Sequence, residues 1–349
     1  MAVTIDYDQV STLAREHLIP VLKDNFFKTT PLFVRMRGRH DSFAGGRQIT
    51  QPLGFAPEGG GGQWWSGADK FDIRARNPIT AAVFYARNFE VPITVLQEEE
   101  DQVNGPEEVM PLVATKLNIA RRTINEQVGG SGGVYNDASN PKAITGLQYA
   151  LPDFTGGAPG VFPSNKNYGG ITTSSTVNTW WNSQGDNTAY ATGPAASYVN
   201  QANFAPWDKM LAAQGLAAGR NCTLIVCNYG VWNDVKALIN RNTVYNRPQQ
   251  SQAMHEAGFD SFMYNGKTVV VDPFCPRNST TKVEKVYFID EESFHLHIHV
   301  RRNFELRPFR EMLDQAAQVA YLFFRGEITF DERRTSGVHS NVDTTLTSP

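Results

Sequence analysis

Between Gln48 and Val95 the chain alternates apolar and polar residues over a length that an ordinary strand does not reach. On the returning side Ile79, Ala81, Val83, Tyr85, Phe89, Val91, Ile93 and Val95 occupy odd positions, with Thr80, Ala82, Ala86, Asn88, Glu90 and Thr94 between them. A period of two predicts an extended strand with one apolar face. At about 3.3 Å per residue the limb reaches on the order of 50 Å. The outgoing limb, RQITQPLGFAP, is shorter and less regular. Between the limbs lies EGGGGQWWSGADKF, a glycine-rich turn with adjacent tryptophans, Trp64 and Trp65. An isolated two-stranded hairpin is marginal in water. Its apolar face therefore needs cover, and a neighbouring copy of the chain is the predicted cover.

The pattern then changes period. Val113, Leu117, Ala120, Ile124 and Val128 step by three or four residues and predict one long amphipathic helix over 106–128. Pro106, Glu107 and Glu108 suit its start, with Pro111 as the alternative first turn, and Gly129 and Gly130 suit its end. Helical spacing also occurs at 8–24, interrupted by Pro20, and the basic cluster RMRGRH follows at 35–40. From 129 to 206 the composition is rich in Gly, Ser, Thr, Asn and Pro, which predicts short strands and loops. An α/β section follows: PWDKMLAAQGLAAG and YGVWNDVKALINR as helices, CTLIVCN and KTVVVD as strands. KVYFID, FHLHIHV and QVAYLFFRGEITF read as strands, the last interrupted by a glycine, and SGVHSNVDTTLTSP reads as a flexible tail.

Composition narrows the class. A chain of 349 residues makes two or three domains, or one domain with large excursions. A hydrophobic content of 41% supports a core, and a net charge of −3 gives no overall basic field for nucleic acid. Cys222, Cys227 and Cys275 are too few and wrongly spaced for a zinc knuckle or a disulfide framework, and predict buried thiols in a reducing cytoplasm. No apolar run approaches the roughly 18–20 residues of a membrane span, and the polar N-terminus is no secretory signal, so a soluble protein with no membrane partner is expected.

Candidate chemistry is sparse. His295, His297 and His299 share one face of a strand, a spacing that suits metal ligation only if further ligands converge. A strand surface facing solvent or an interface is the favoured reading. Glu98, Glu99, Glu100 and Asp101 read as a solvated connection before the helix. GGGGQ lacks the lysine and the context of a phosphate loop, and no nucleophile elbow or triad is present. No catalytic, cofactor or metal residue is assigned, and the expectation is that the protein is not an enzyme. Arg35, Arg37, Arg39 and Arg47 are candidates for phosphate contacts or for ion pairs between subunits.

The order of elements (arm, long hairpin with a glycine-rich tip, long helix, α/β section, terminal long strands) resembles the major capsid proteins of tailed bacteriophages. Softer local likenesses lie in ITGLQ at 144–148, YGGITTSSTVNTWWNS at 168–183 and the passage from VVVDPFCP to VYFID at 269–290. The resemblance implies an α+β, Hong Kong 97-like fold. Its parts would be an N-terminal arm at 1–42, an extended hairpin or E-loop at 43–95, and a P-domain with spine helix at 96–135 and 286–334. An A-domain at 136–285 and a tail at 335–349 would complete it. It implies a coat protein that assembles into hexamers and pentamers of an icosahedral shell around double-stranded DNA. That protein would be made in the bacterial host cytoplasm and reside in the virion capsid, touching DNA by weak non-specific contact. The same fold serves encapsulin nanocompartments, the alternative reading. The implied partners are further copies, a portal protein, a decoration or cement protein, and a separate scaffolding protein or none, since no acidic coiled-coil-like segment precedes the arm. Trp64, Trp65, Lys70 and Phe71 at the hairpin tip are the expected contacts between subunits. Lys70 lies where some members carry a crosslinking lysine, but a lysine there is too common to imply crosslinking.

Overall fold

The computed structural model describes residues 30–57, 62–70, 77–102, 106–137, 139–154, 166–187, 205–242, 261–277, 283–312 and 315–343. The helical spacing at 8–24 and Phe71 lie outside them.

Helix α1, Pro31–Arg37, starts on a proline whose missing N–H costs nothing in a first turn, and buries Leu32, Phe33 and Met36. Strand β1 (Asp41–Phe43) follows, then β2 (Ile49–Gly54) and β3 (Ile79–Phe84), which pair antiparallel from Ile49 against Phe84 to Gly54 against Ile79. The chain passes Tyr85 and Ala86 and enters β4 (Arg87–Leu96), helix α2 (Gln97–Gln102) and the long helix α3 (Pro106–Gly129). Helix α4 (Leu147–Ala150), β5 (Lys166–Tyr168), β6 (Ile171–Thr173) and β7 (Gln184–Asp186) are short. Next come α5 (Ala205–Ala218), β8 (Leu224–Cys227), α6 (Tyr229–Asn242), β9 (Ser261–Tyr264) and β10 (Lys267–Val271). The chain ends through β11 (Val283–Ile289), β12 (Phe294–His299), β13 (Glu305–Leu306), β14 (Arg310–Glu311), β15 (Ala317–Phe330) and β16 (Gly337–Asp343).

Two six-stranded sheets organise these elements. The first runs β1-β12-β15-β13, with β14 and β4 also on β15; the second runs β7-β16-β11-β8-β10-β9. Strand β15 is the axis of the first. Ten residue pairs, from Ala317–Leu96 to Gly326–Arg87, join it to β4. It continues unbroken through Gly326, so the predicted glycine interruption is absent. A side chain at 326 would come within 2.6 Å of the His297 carbonyl oxygen, so glycine there lets β12 approach closely.

In the second sheet β8 is buried along its whole length, with α5 and α6 on one side. Trp207, Met210, Leu211, Val231, Trp232 and Val235 pack there on Ile225, Cys227, Val269, Val271 and Phe288. The other face contributes Leu224, Val226, Val270, Tyr287 and Ile289 to the larger core shared with α3 and the first sheet. Burial on both faces explains why LIVC is a continuous apolar run rather than an alternating one.

Four sequence expectations are corrected. The returning limb is two strands, and its buried face switches at Tyr85–Ala86. In β3 the even residues Ala82 and Phe84 are buried while Ile79 and Tyr85 are exposed, whereas in β4 Ile93 and Val95 are buried. The reason is that β3 pairs with β2 and lies on the chain's own β5–β6 turn, while β4 belongs to the first sheet. Second, the long helix meets the opposite face of β15 from the one expected. Ala320, Leu322 and Phe324 share the core with Ala120, Ile124 and Val128. Tyr321 and Phe323 instead stack on each other under Arg302 and Arg307, and Val319 is buried on their side of the alternation. Third, the predicted tail at 335–349 contains β16, paired antiparallel with β11 and parallel with β7. Fourth, a boundary between 285 and 286 cuts β11, which belongs wholly to the second sheet.

Candidate assembly surface

The lower half of the hairpin is held by the chain itself. Val83 N donates to the Gly169 carbonyl at 2.9 Å, and the Phe84 ring meets Tyr168 edge-on at 5.1 Å. Gly169 has φ +63°, and a Cβ there would lie 2.8 Å from the Cβ of Ala82, so this turn needs glycine on two counts. On the outgoing limb Phe55 sits 5.8 Å from Trp180. Own-chain cover thus replaces the expected neighbour for β2 and β3, and among the described residues of the tip Trp64 is the large apolar side chain most exposed.

At the tip Trp64 is fully exposed and Trp65 is 62% exposed. The backbone is nevertheless structured: Ser66 N donates to Asp69 Oδ2 at 3.0 Å, and Gln63 Nε2 donates to the Lys70 carbonyl at 2.8 Å. Lys70 is exposed beside the tryptophans. Indole surface of this extent, set away from the core, is characteristic of interaction sites.

The four candidate arginines occupy three environments. Arg35 forms a bidentate pair with Glu291, through Nε to Oε1 and through Nη2 to Oε2 at 2.8 Å, and Arg39 Nη1 lies 3.6 Å from the same Oε2. The guanidinium of Arg37 lies 4.2 Å over the Phe304 ring. Arg47 is exposed. Sequence reading brought these residues together by charge and did not pair them with Glu291, which lies 256 positions from Arg35.

The histidine strand divides likewise. His295 lies between two aspartates, Nδ1 3.0 Å from Asp41 and Nε2 3.2 Å from Asp331. His297 Nε2 is 2.9 Å from Thr329 Oγ1, and burial holds its imidazole below the usual range. His299 accepts from Arg301 N at 3.1 Å and packs edge-on against Phe43. Among the described residues no group of three or more His, Cys, Asp or Glu is placed to hold a metal ion. Of the acidic run, Glu99 pairs with Lys116, whose hydrogen bond holds the carboxyl below its ordinary value. The three cysteines are free and buried, and burial pushes the Cys222 thiol up to about 12, which leaves it unreactive. Among the described residues no helix is long and apolar enough to cross a membrane.

Polar groups that sequence reading did not single out hold the two sheets together. Arg220 reaches Asp290 at 3.0 Å, Glu292 at 2.9 Å and Glu332 at 3.2 Å. Arg333 is fully buried and donates to the Ala150 carbonyl through Nε and Nη2 and to the Trp181 carbonyl through Nη1, at 3.0, 2.5 and 3.1 Å. Both sit where the chain crosses between sheets, at the β11–β12 and β15–β16 connections. Glu327 is buried near Arg87, and desolvation pushes its carboxyl up to about 7 against the Thr145 and Ile328 amides that donate to it. Apart from the adjacent Ile328, these partners are distant in sequence, so no local motif announced them.

No family model and no curated protein matches the sequence. Solved structures do. The chain is similar to one in the Cyanophage A-1(L) capsid asymmetric unit, with TM-score 0.64 and 15% identity over 96% of this chain and 98% of that one. It is similar to the capsid of an empty GTA particle, with TM-score 0.59 and 10% identity over 97% and 98% of the two chains. It is also similar to the holo-SrpI encapsulin complex from Synechococcus elongatus, with TM-score 0.55 and 11% identity over 99% of both. The hairpin, long helix and two linked sheets therefore constitute a Hong Kong 97-like fold, the fold of tailed-phage capsid proteins.

Proposed function

We propose that the chain is the major coat protein of a tailed double-stranded DNA phage, assembling through hexamers and pentamers into an icosahedral shell. The observation that carries this reading is the likeness to capsid chains over almost the full length of both partners, with Trp64 fully exposed at the hairpin tip. Further copies, a portal, a separate scaffolding protein and a cement protein are its partners in this proposal. It is synthesised in the host cytoplasm, resides in the virion capsid and has no catalytic role. DNA contact is weak and salt-dependent: Arg35 and Arg39 share Glu291, which leaves Arg47 as the candidate arginine best placed for phosphate. Electron microscopy of the purified full-length protein, alone and with its scaffolding protein co-expressed, tests the proposal. Closed shells support it, and a monodisperse monomer under both conditions overturns it. The encapsulin likeness favours a second reading on the same fold. Particles filled with one protein cargo and free of DNA would select it.

The hairpin tip supplies a residue-level prediction. Trp64→Ala with Trp65→Ala is expected to impair shell assembly or lower shell stability and to leave the monomer's helix content unchanged, because neither indole contributes to the core. Each removed indole takes on the order of 150–250 Å² of contact from an interface. Particle yield by sedimentation beside far-ultraviolet circular dichroism checks it, and shells of normal yield and stability would refute it.

A further inference from the structure

The outgoing root of the hairpin is held far more lightly than its return. The return strand β4 is tied to β15 by ten residue pairs, whereas the outgoing side is tied by the three-residue β1, parallel to β12 with Asp41 opposite His297 and Phe43 opposite His299. Beyond β1 the described links are the Phe43–His299 ring contact and a hydrogen bond from Arg325 Nη2 to the Gly46 carbonyl at 3.2 Å. Asp41 adds its pair with His295, which is also paired with Asp331 at the end of β15.

The ring nitrogens of His295 lie within ion-pair distance of two carboxylate oxygens, at 3.0 and 3.2 Å. The imidazolium is attracted to both carboxylates, whereas a neutral imidazole carries no charge to hold either. The titratable groups facing it are Asp41 from β1, Asp331 from the end of β15 and His297 two positions along β12. His297 is held neutral by burial and adds no competing charge at neutral pH.

We infer that Asp41, His295 and Asp331 form a proton-dependent clasp that fastens the outgoing root of the hairpin to the first sheet when His295 is charged and loosens it when His295 is neutral. Asp331 foremost, and then Asp41, hold the imidazole above its ordinary range despite its burial. A histidine whose folded pKa is raised stabilises the folded arrangement fully below the unfolded value, about 6.5, and loses that contribution as pH rises through the higher folded value. The clasp is therefore closed in mild acid and loosens as pH rises through the raised folded value. It regulates the segment through which the hairpin leaves the body of the protein, and it does not rest on the coat-protein reading.

Hydrogen–deuterium exchange of full-length protein at pH 6 and pH 8.5, corrected for intrinsic exchange, tests it. Peptides covering 41–48 are expected to lose about tenfold in protection between the two, the effect of two partly exposed ion pairs. Peptides from β4 should not change. His295→Gln should show the low protection at both pH values. Should that variant not fold, Asp41→Asn, altered at a half-exposed site, should do the same. Equal protection of 41–48 at both pH values in the unmodified protein, or the same pH dependence in the variant, would overturn the inference. So would an imidazole that titrates by NMR at or below 6.5.

Discussion

Ile124→Asp is expected to abolish recovery of soluble protein. Ile124 lies in the second half of the apolar stripe of α3, is fully buried, and belongs to the core formed with Phe33, Ile93, Leu322 and Phe324. An aspartate there places an unpaired carboxylate among apolar side chains, which costs several kcal/mol even after the group protonates. Whole domains are stable by only about 5–15 kcal/mol. Leu117, two turns nearer the start of the stripe, is half-buried, so the same substitution there has a smaller effect. Ile124→Val, by contrast, removes one methylene and should cost about 0.5–1.5 kcal/mol, read as a small fall in melting temperature. Soluble Ile124→Asp protein with an unchanged melting curve would show that α3 does not pack as described.

The second large effect is expected at Arg333. Its guanidinium is enclosed between α4 and the 179–181 turn, donates three hydrogen bonds to carbonyls and lies 4.8 Å over the Tyr168 ring. Arg333→Ala leaves the carbonyls of Ala150 and Trp181 without these donors and opens a large void beside two aromatic rings. Each orphaned acceptor costs about 1–3 kcal/mol, so a loss of roughly 3–5 kcal/mol is expected by urea denaturation. Arg333→Lys should recover only part of this, since an ammonium cannot reach both carbonyls with the fork geometry of arginine. A loss below about 1 kcal/mol for Arg333→Ala would show that Arg333 does not tie α4 to the 179–181 turn.

How far the sequence could be read depended on whether a segment's partners were local. Helix α3 was legible because its stripe is a local period and its stop is a glycine pair. Gly129 is needed there for close approach, since a Cβ would lie 2.9 Å from Thr30 and Phe33. The β8 run was legible because burial on both faces leaves a continuous apolar tetrad. The β3–β4 limb was misread because alternation states that a strand has two faces and not which one is inside. Ile79 and Tyr85 are apolar yet exposed, and Ala82 and Phe84 are chosen for the inside by Gly169, which is remote in sequence. The same ambiguity put Tyr321 and Phe323 on the wrong side of β15. Strand β16 was missed because its polar residues, His339 and Ser340 among them, are buried between neighbouring strands, where composition alone reads as tail. Of the candidate surface, the exposed tryptophans were legible from the glycine-rich turn around them. The clasp on His295 was not, because Asp41 and Asp331 lie at opposite ends of the chain.

The pairing of β4 with β15 also sets a clock on biosynthesis. Leu96 leaves the ribosome long before Ala317, its partner in the sheet. At about 5–20 residues per second the intervening stretch, roughly 220 residues, takes on the order of 10–45 s to synthesise. Throughout that interval one whole edge of β4, and the face of α3 that will cover it, wait without the strand that completes their sheet. A nascent chain in this condition presents an unpaired edge and an apolar helix face together, the combination that invites association with other unfinished chains. The last strands made are thus the ones that close the structure, and a chain truncated before residue 317 is expected to aggregate rather than fold as a smaller body.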